Sequence, residues 1–334
     1  MNFQGSMWAK AKSLQKKLVL ADGTEPRTIK AARIIVDERL AGSVTLLGKE
    51  SVIEKRATKE GVSLSDIAIV NPEISSKEDA YAEEYYQLRK LRGMTIKQAK
   101  TDIVSPMRWG AMMVHLGEAD AVVGGMEDDP VEVLFAGLAI IGTAPSIRTA
   151  SSCLVIQSQD TSWGADGAFI FSDCSVVPNP MPDQLTDIAL SAAESCRDFL
   201  GVEPVVALLS YSTKGSKREH HDLEKIRTAL KKIKTREPAL IVDGELQLDA
   251  ALIPAVAEAK AKDSPVRGRA NTLVFPNIEA GNIGYKLVQY FGKVEIFGPI
   301  LQGFAKPISY VPRGATVNSI VLECAATLAR VKQE

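Results

Sequence analysis

Short apolar runs rich in β-branched residues alternate with helical stretches along most of this chain, and that alternation constrains the fold more than any other feature. A β-run, an amphipathic helix and another β-run in succession build a parallel sheet with helices on its faces, and neither a sandwich nor a helical bundle reads this way. Residues 18–20 read as a strand, 28–40 as an amphipathic helix, 43–47 as the next strand, 52–60 as its helix and 67–70 as a third strand. The stretch 77–92 is a charged, tyrosine-bearing helix, and Pro106 interrupts the pattern before a helix over 108–116. A strand over 119–125 ends in Gly124-Gly125 and opens onto a helix over 131–141. Such a turn can cradle phosphate, but a tight turn that simply needs small residues is the favoured reading, because neither a G-x-G-x-x-G nor a Walker pattern accompanies it.

From 149 to 177 the pattern changes. Runs 152–157 and 168–172, joined by the polar Trp163-Gly164-Ala165-Asp166-Gly167, read as an antiparallel hairpin that opens a second domain. Beyond it come helix 183–200, strand 205–210, basic helix 219–234, strand 239–242, helix 249–260 and strands 273–275 and 294–297. A last helix, 316–332, starts at a good N-cap threonine and returns to the first domain for want of a partner nearby.

The chain has 40 basic and 41 acidic side chains, a formal charge of −1, and no block of Lys or Arg along one face. Duplex nucleic acid is therefore not an expected partner. The longest apolar stretches fall far short of the roughly 18 residues of a membrane span. Four separated cysteines without a C-x-x-C pair and three histidines signal neither a disulfide framework nor a metal site, and a reducing cytoplasm is the expected setting. Residues 1–6, with their F-Q-G-S string, read as the remnant of a cleavable tag that stands outside the fold.

Chemistry in open α/β sheets collects at the C-terminal ends of strands. One such segment, Ser210-Tyr211-Ser212-Thr213-Lys214-Gly215-Ser216, offers hydroxyls, an ammonium and a glycine, which suits an oxyanion. A second, Phe275-Pro276-Asn277-Ile278-Glu279-Ala280-Gly281-Asn282, ends a strand with amides and close-approach glycine. A third runs Gly298-Pro299-Ile300-Leu301-Gln302-Gly303-Phe304-Ala305-Lys306-Pro307 and on to Tyr310-Val311-Pro312-Arg313-Gly314.

These segments, with Asp22-Gly23-Thr24-Glu25-Pro26-Arg27 and Val242-Asp243-Gly244-Glu245-Leu246-Gln247-Leu248-Asp249-Ala250, closely resemble the phosphate acetyltransferase (phosphotransacetylase) family nearly end to end. The resemblance implies a two-domain, three-layer α/β fold like isocitrate/isopropylmalate dehydrogenase. Its sheets are mostly parallel, with the antiparallel hairpin in the second domain and the active site in the cleft between domains. The implied domains are 7–147 with 299–334, and 148–298. The implied reaction interconverts acetyl-CoA and orthophosphate with acetyl phosphate and CoA, with CoA as substrate, no further cofactor, no metal and a homodimeric enzyme.

Carried over residue by residue, the resemblance gives Arg313 as the arginine at the reacting acyl phosphate. Ser210, Tyr211, Ser212, Thr213, Lys214, Gly215, Ser216 and Asn282 fall on its phosphate side, and Arg89 binds CoA. Three family positions differ here. The serine before the arginine is Pro312, the aspartate six residues after it is Ser319, and a second CoA-associated arginine is Phe135. Glu127, Asp128, Asp129 and Glu323 are the candidate replacement bases. Two alternatives follow from these departures: a sensor of acyl-CoA or acetyl phosphate that has lost turnover, and an acyltransferase for a longer acyl group such as butyryl. A dehydrogenase of the same architecture is disfavoured, because neither a nicotinamide fingerprint nor clustered aspartates are present.

Overall fold

The computed structural model describes residues 3–127, 129–217 and 220–332, and the chain divides into two compact units, 1–145 with 304–334, and 146–303.

In the first unit, α1 (Phe3–Leu14) precedes β1 (Lys17–Leu20), α2 (Pro26–Asp37), β2 (Ser43–Leu47), α3 (Glu50–Glu60) and β3 (Ile67–Val70). Proline at the first turn and Glu25 as N-cap start α2, because a proline there loses no helical hydrogen bond. Next come α4 (Glu78–Arg89), α5 (Ile96–Ile103), α6 (Pro106–His115), β4 (Ala121–Gly124) and α7 (Pro130–Ala136), which runs into a π-turn over Gly137–Ile141. Pro106 and Pro130 likewise stand at helix starts, so Pro106 opens α6 rather than merely breaking the pattern. Residues 3–6, expected outside the fold, form the first turn of α1 with Phe3 and Met7 buried; the apolar face of that helix overrides the tag-like string.

The second unit holds β5 (Ser151–Gln157), β6 (Ala168–Ser172), α8 (Pro182–Leu200), β7 (Val205–Leu209), α9 (His221–Arg236), β8 (Ile241–Leu246), α10 (Leu248–Leu252), α11 (Pro254–Ala261), β9 (Thr272–Val274), α12 (Ile278–Phe291) and β10 (Glu295–Gln302). The helix expected over 249–260 is two helices, because Pro254 cannot continue α10. The segment 275–286, which read as a strand end with close-approach glycines, leads into α12, 278–291; Gly281 is required there because a Cβ would fall 2.5 Å from the Asp173 carbonyl. The chain then re-enters the first unit as β11 (Ile308–Tyr310) and α13 (Val317–Leu328), whose N-cap Thr316 accepts from Ser319 N at 3.2 Å.

The first unit's sheet is wholly parallel, ordered β11-β4-β1-β2-β3. The second unit's sheet, β10-β5-β6-β9-β7-β8, pairs β10, β5 and β6 antiparallel and the rest parallel. Phe169, Phe171, Leu209, Leu246 and Leu273 form part of its core, with Phe275 packed on Phe171 at 5.3 Å between ring centres. No helix among the described residues is long and apolar enough to cross a membrane.

Candidate active site

In the first unit, β1, β4 and β11 end at one edge of the sheet, and the strand order reverses between β1 and β4. A crevice opens at such a reversal in open α/β sheets. Buried Asp22, just past β1, accepts from the backbone N–H of Met126 at 2.9 Å and of Glu127 at 3.2 Å. Those two amides after the Gly124-Gly125 turn are therefore committed to a carboxylate. Gly125, at φ +111°, leaves room for Tyr310, whose ring carbon would lie 2.4 Å from a Cβ there. The turn is glycine-rich for close packing first.

Arg313 follows β11 at this edge with an exposed side chain. Its backbone carbonyl accepts from Arg27 Nη1 at 2.8 Å; the same nitrogen donates to Ala315 O at 2.9 Å, and Arg27 Nε donates to Glu25 at 2.8 Å. Arg27 thus ties the segment after β1 to the one after β11. Burial pushes the Tyr310 phenol up; the Arg313 guanidinium opposes the rise and the Asp129 carboxylate adds to it, so both charges face that ring.

The candidate bases separate. Glu127 is exposed at the strand ends, accepts from Thr24 Oγ1 at 2.8 Å and lies 3.8 Å from Arg56 Nη1. Asp129 is the N-cap of α7, accepting from Val131 N at 2.9 Å, which is ordinary helix-start chemistry. Asp128 lies outside the described residues. Glu323 is six residues into α13, about 9 Å along the helix axis from its start. Its Oε1 is buried without a partner, and burial raises its carboxyl to about 7 against the opposing pull of the Ser309 hydroxyl and Arg330. Its neighbours are Ser309 of β11 and Arg330.

Arg89 closes α4, where its guanidinium carbon lies 5.4 Å from the centre of the Phe135 ring. Arg108 of α6 approaches the same ring at 5.5 Å and donates to Glu132 at 2.6 Å. Arg89 Nε, Arg108 Nε and Tyr85 Oη are buried with no hydrogen-bond partner. Two guanidiniums at one aromatic ring, each with an unmet donor, make an apt anion site. Sequence reading singled out Arg89 and Phe135 and missed Arg108, because only the packing of α6 brings it there.

In the second unit, β6, β9, β7 and β8 run parallel, so the segments after them share one edge. The loop 210–216 leaves β7 there; Ser212 and Thr213 are buried and Tyr211 is 52% exposed. Asn282, in the early part of α12 after β9, donates its amide to Cys174 O at 3.2 Å. The loop's amides are already engaged, three within the loop and two on Glu245: Ser212 N on Ser210 Oγ (3.2 Å), Thr213 N on Ser216 Oγ (3.1 Å), Lys214 N on Glu245 O (3.2 Å), Gly215 N on Glu245 Oε1 (2.8 Å) and Ser216 N on Thr213 O (3.0 Å). What the loop has left to offer a phosphate is therefore side-chain hydroxyls rather than backbone amides. Lys214 pairs with buried Asp243 and donates to Gly244 O at 3.2 Å.

Glu245, 1% exposed, was not singled out from the sequence, yet its carboxylate gathers Ser212 Oγ at 3.2 Å, Gly215 N, and the Arg227 guanidinium through Nε at 2.8 Å and Nη2 at 2.9 Å. Burial alone would raise its pKa; the Arg227 fork and the Gly215 amide hold it at about 2. All four cysteines are buried free thiols, and burial pushes Cys174 and Cys324 far above the usual thiol range, so they pack rather than react. Among the described residues one group, His220, His221 and Asp222, brings three potential metal-ligand atoms within 4.8 Å. It sits at the solvent-exposed start of α9, where His220 Nδ1 accepts from Asp222 N at 3.3 Å as a helix cap.

Residues 2–328 match the family described as Phosphate acetyl/butaryl transferase. A phosphate acetyltransferase from Treponema pallidum is 49% identical over 98% of this chain and 98% of its own length. A crystal structure of a phosphotransacetylase from Streptococcus pyogenes superposes with a TM-score of 0.93 at 33% identity, covering 98% of each chain. At 12% identity and a TM-score of 0.55, a 4-hydroxythreonine-4-phosphate dehydrogenase-like structure from Salmonella typhimurium covers 94% of this chain and 99% of that one, a likeness of fold alone. Full-length matches of this kind, on a chain with these strand-end segments, place the protein in the phosphate acetyl/butyryltransferase family.

Proposed function

We propose that this chain is a phosphate acetyltransferase that interconverts acetyl-CoA and orthophosphate with CoA and acetyl phosphate, with Arg313 acting on the acyl phosphate. The observation that carries the reading is full-length identity to phosphate acetyltransferases combined with an Arg313 whose backbone is fixed by Arg27 while its guanidinium stays exposed.

In the direction of acetyl-CoA formation, the CoA sulfur attacks the acetyl carbon. A C–S bond forms, the bond from carbon to the bridging phosphate oxygen breaks, and orthophosphate leaves. The guanidinium of Arg313 offers two parallel donors to the oxygens that gain charge, which a lysine cannot. Lys214, Tyr211 and the loop hydroxyls take the phosphoryl group, with Asn282 at the same sheet edge. The thiol proton needs an acceptor. Ser319 cannot serve at neutral pH, and of the two described candidate acids after β4, Glu127 is the one not spent on capping a helix.

On the CoA side, Arg108 supplies the second guanidinium beside Arg89 in place of the arginine that Phe135 replaces; both hold a phosphate of CoA. The protein acts as a homodimer through α12, where Ile283, Leu287, Tyr290 and Phe291 are 59, 53, 79 and 82% exposed on one helical face. With aromatic side chains of about 150–250 Å² each, two such stripes cover on the order of 1,000 Å², the scale of a specific interface. Four cysteines outside any disulfide suit a reducing cytoplasm.

Pro312 and Ser319, where the family has serine and aspartate, favour a second reading: a sensor that binds these metabolites without turning them over. Purified protein given acetyl phosphate and CoA, with butyryl phosphate in parallel, separates the readings. Acetyl-CoA formation supports the enzyme, preferential butyryl transfer moves the substrate, and saturable binding without transfer supports the sensor.

A further inference from the structure

The loop 210–216 turns back on itself through two consecutive left-handed residues, Lys214 at φ +47° and Gly215 at φ +79°. A lysine does not adopt that conformation without support, so something outside the loop holds it. The support comes from the end of β8. Ser210 N donates to Leu246 O at 2.8 Å, Gln247 N donates to Thr213 Oγ1 at 3.0 Å, and Lys214 N donates to Glu245 O. The one side chain in this set that binds the loop at two points is Glu245, through Ser212 Oγ and Gly215 N, on either side of Lys214.

A buried carboxylate under a loop that receives phosphate is costly, because it repels the incoming dianion. Arg227 cancels that charge with a two-pronged ion pair from α9, as Lys214 cancels Asp243. The loop is therefore electrically balanced before substrate arrives, and what Glu245 contributes is shape.

We infer that Glu245 is a positioning residue for the phosphate side of the reaction: it fixes the path of residues 212–215 so that Lys214 and the loop hydroxyls meet the phosphoryl group already in place, with Arg227 silencing its charge. This inference rests on the reading that the loop 210–216 takes the phosphoryl group.

Position and charge predict opposite signs, which makes the test sharp. Glu245→Gln offers one oxygen where two served and removes one negative charge from beneath the loop. If Glu245 acted by charge alone, removing an anion would lower the KM for acetyl phosphate. The positioning role predicts a rise of about tenfold or more, with the KM for CoA within twofold of the unaltered protein. Glu245→Asp keeps the charge but withdraws it from Ser212 and Gly215, and the same rise is expected. Ser212→Ala leaves the Glu245–Arg227 pair whole, so it folds even if the Glu245 variants do not; losing one tether should raise the acetyl phosphate KM about threefold to tenfold. Lys214→Ala provides the control for the underlying reading. If it raises that KM while the Glu245 and Ser212 variants leave it within twofold, or Glu245→Gln lowers it, the positioning role is overturned and the loop assignment stands. If Lys214→Ala also leaves it unmoved, the loop assignment falls with it.

Discussion

Replacing Glu323 by glutamine should alter how stability depends on pH, and the structure supplies the size and sign. Burial lifts this carboxyl from its ordinary 4.5 to about 7 in the folded chain, outweighing the Ser309 hydroxyl and Arg330, which favour the ionised form, while Oε1 itself has no hydrogen-bond partner. Between those two pH values the folded chain keeps a proton that the unfolded chain has released, so stability falls as pH rises through that window. At about 1.4 kcal/mol per pH unit, the full penalty above pH 7 is about 3 kcal/mol, and below pH 4.5 it vanishes. Glutamine has nearly the same volume and does not titrate, so Glu323→Gln carries any packing or hydrogen-bond cost equally at every pH. Urea unfolding of both proteins at pH 5 and pH 8 reads the difference directly. The variant should gain about 2–3 kcal/mol relative to the original on going from pH 5 to pH 8. Parallel behaviour of the two proteins, within about 0.5 kcal/mol, would refute the claim that burial of this carboxyl outweighs the pull of Ser309 and Arg330.

Further outcomes follow from the other sites. Arg108→Gln and Arg89→Gln should each raise the KM for CoA about tenfold or more and leave the acetyl phosphate KM unchanged; equal CoA affinity in steady-state kinetics of Arg108→Gln would remove it from the anion site. Replacing Tyr290 and Phe291 together by lysine should convert a dimer to a monomer in sedimentation velocity, and a dimer of unchanged strength would place the interface elsewhere.

What the sequence disclosed and what it hid divide along physical lines. Strands β1 to β3 and the hairpin β5–β6 were legible because each is a bounded apolar run, and Thr316 was legible as a cap because N-capping is local chemistry. β11 was not, since Ile308–Tyr310 is three residues flanked by prolines and becomes a strand only through pairing with β4. α12 was hidden for the opposite reason: its glycines read as punctuation, whereas Gly281 is there to let the helix approach Asp173. At the site, local motifs marked the loop 210–216 and Arg313. Asp22, Arg108, Arg227 and Glu245 were not marked, because their roles exist only across gaps in sequence, 104 residues for Asp22 to Met126 and 18 for Arg227 to Glu245. The turn at Gly124-Gly125 shows the limit from the other side. It read as a tight turn in preference to a phosphate cradle, and the Asp22 carboxylate with the Tyr310 ring agrees with the turn.

The central claim is that Arg313 acts on the acyl phosphate of an acetyl-transfer reaction. Its most direct test measures acetyl-CoA formation from acetyl phosphate and CoA by the unaltered protein and by Arg313→Ala, with folding of the variant checked by circular dichroism. The account predicts turnover by the first and a loss of about 10²-fold or more in kcat for the second, the scale of removing one electrostatic donor from a reacting centre. A folded Arg313→Ala protein with undiminished kcat would contradict it.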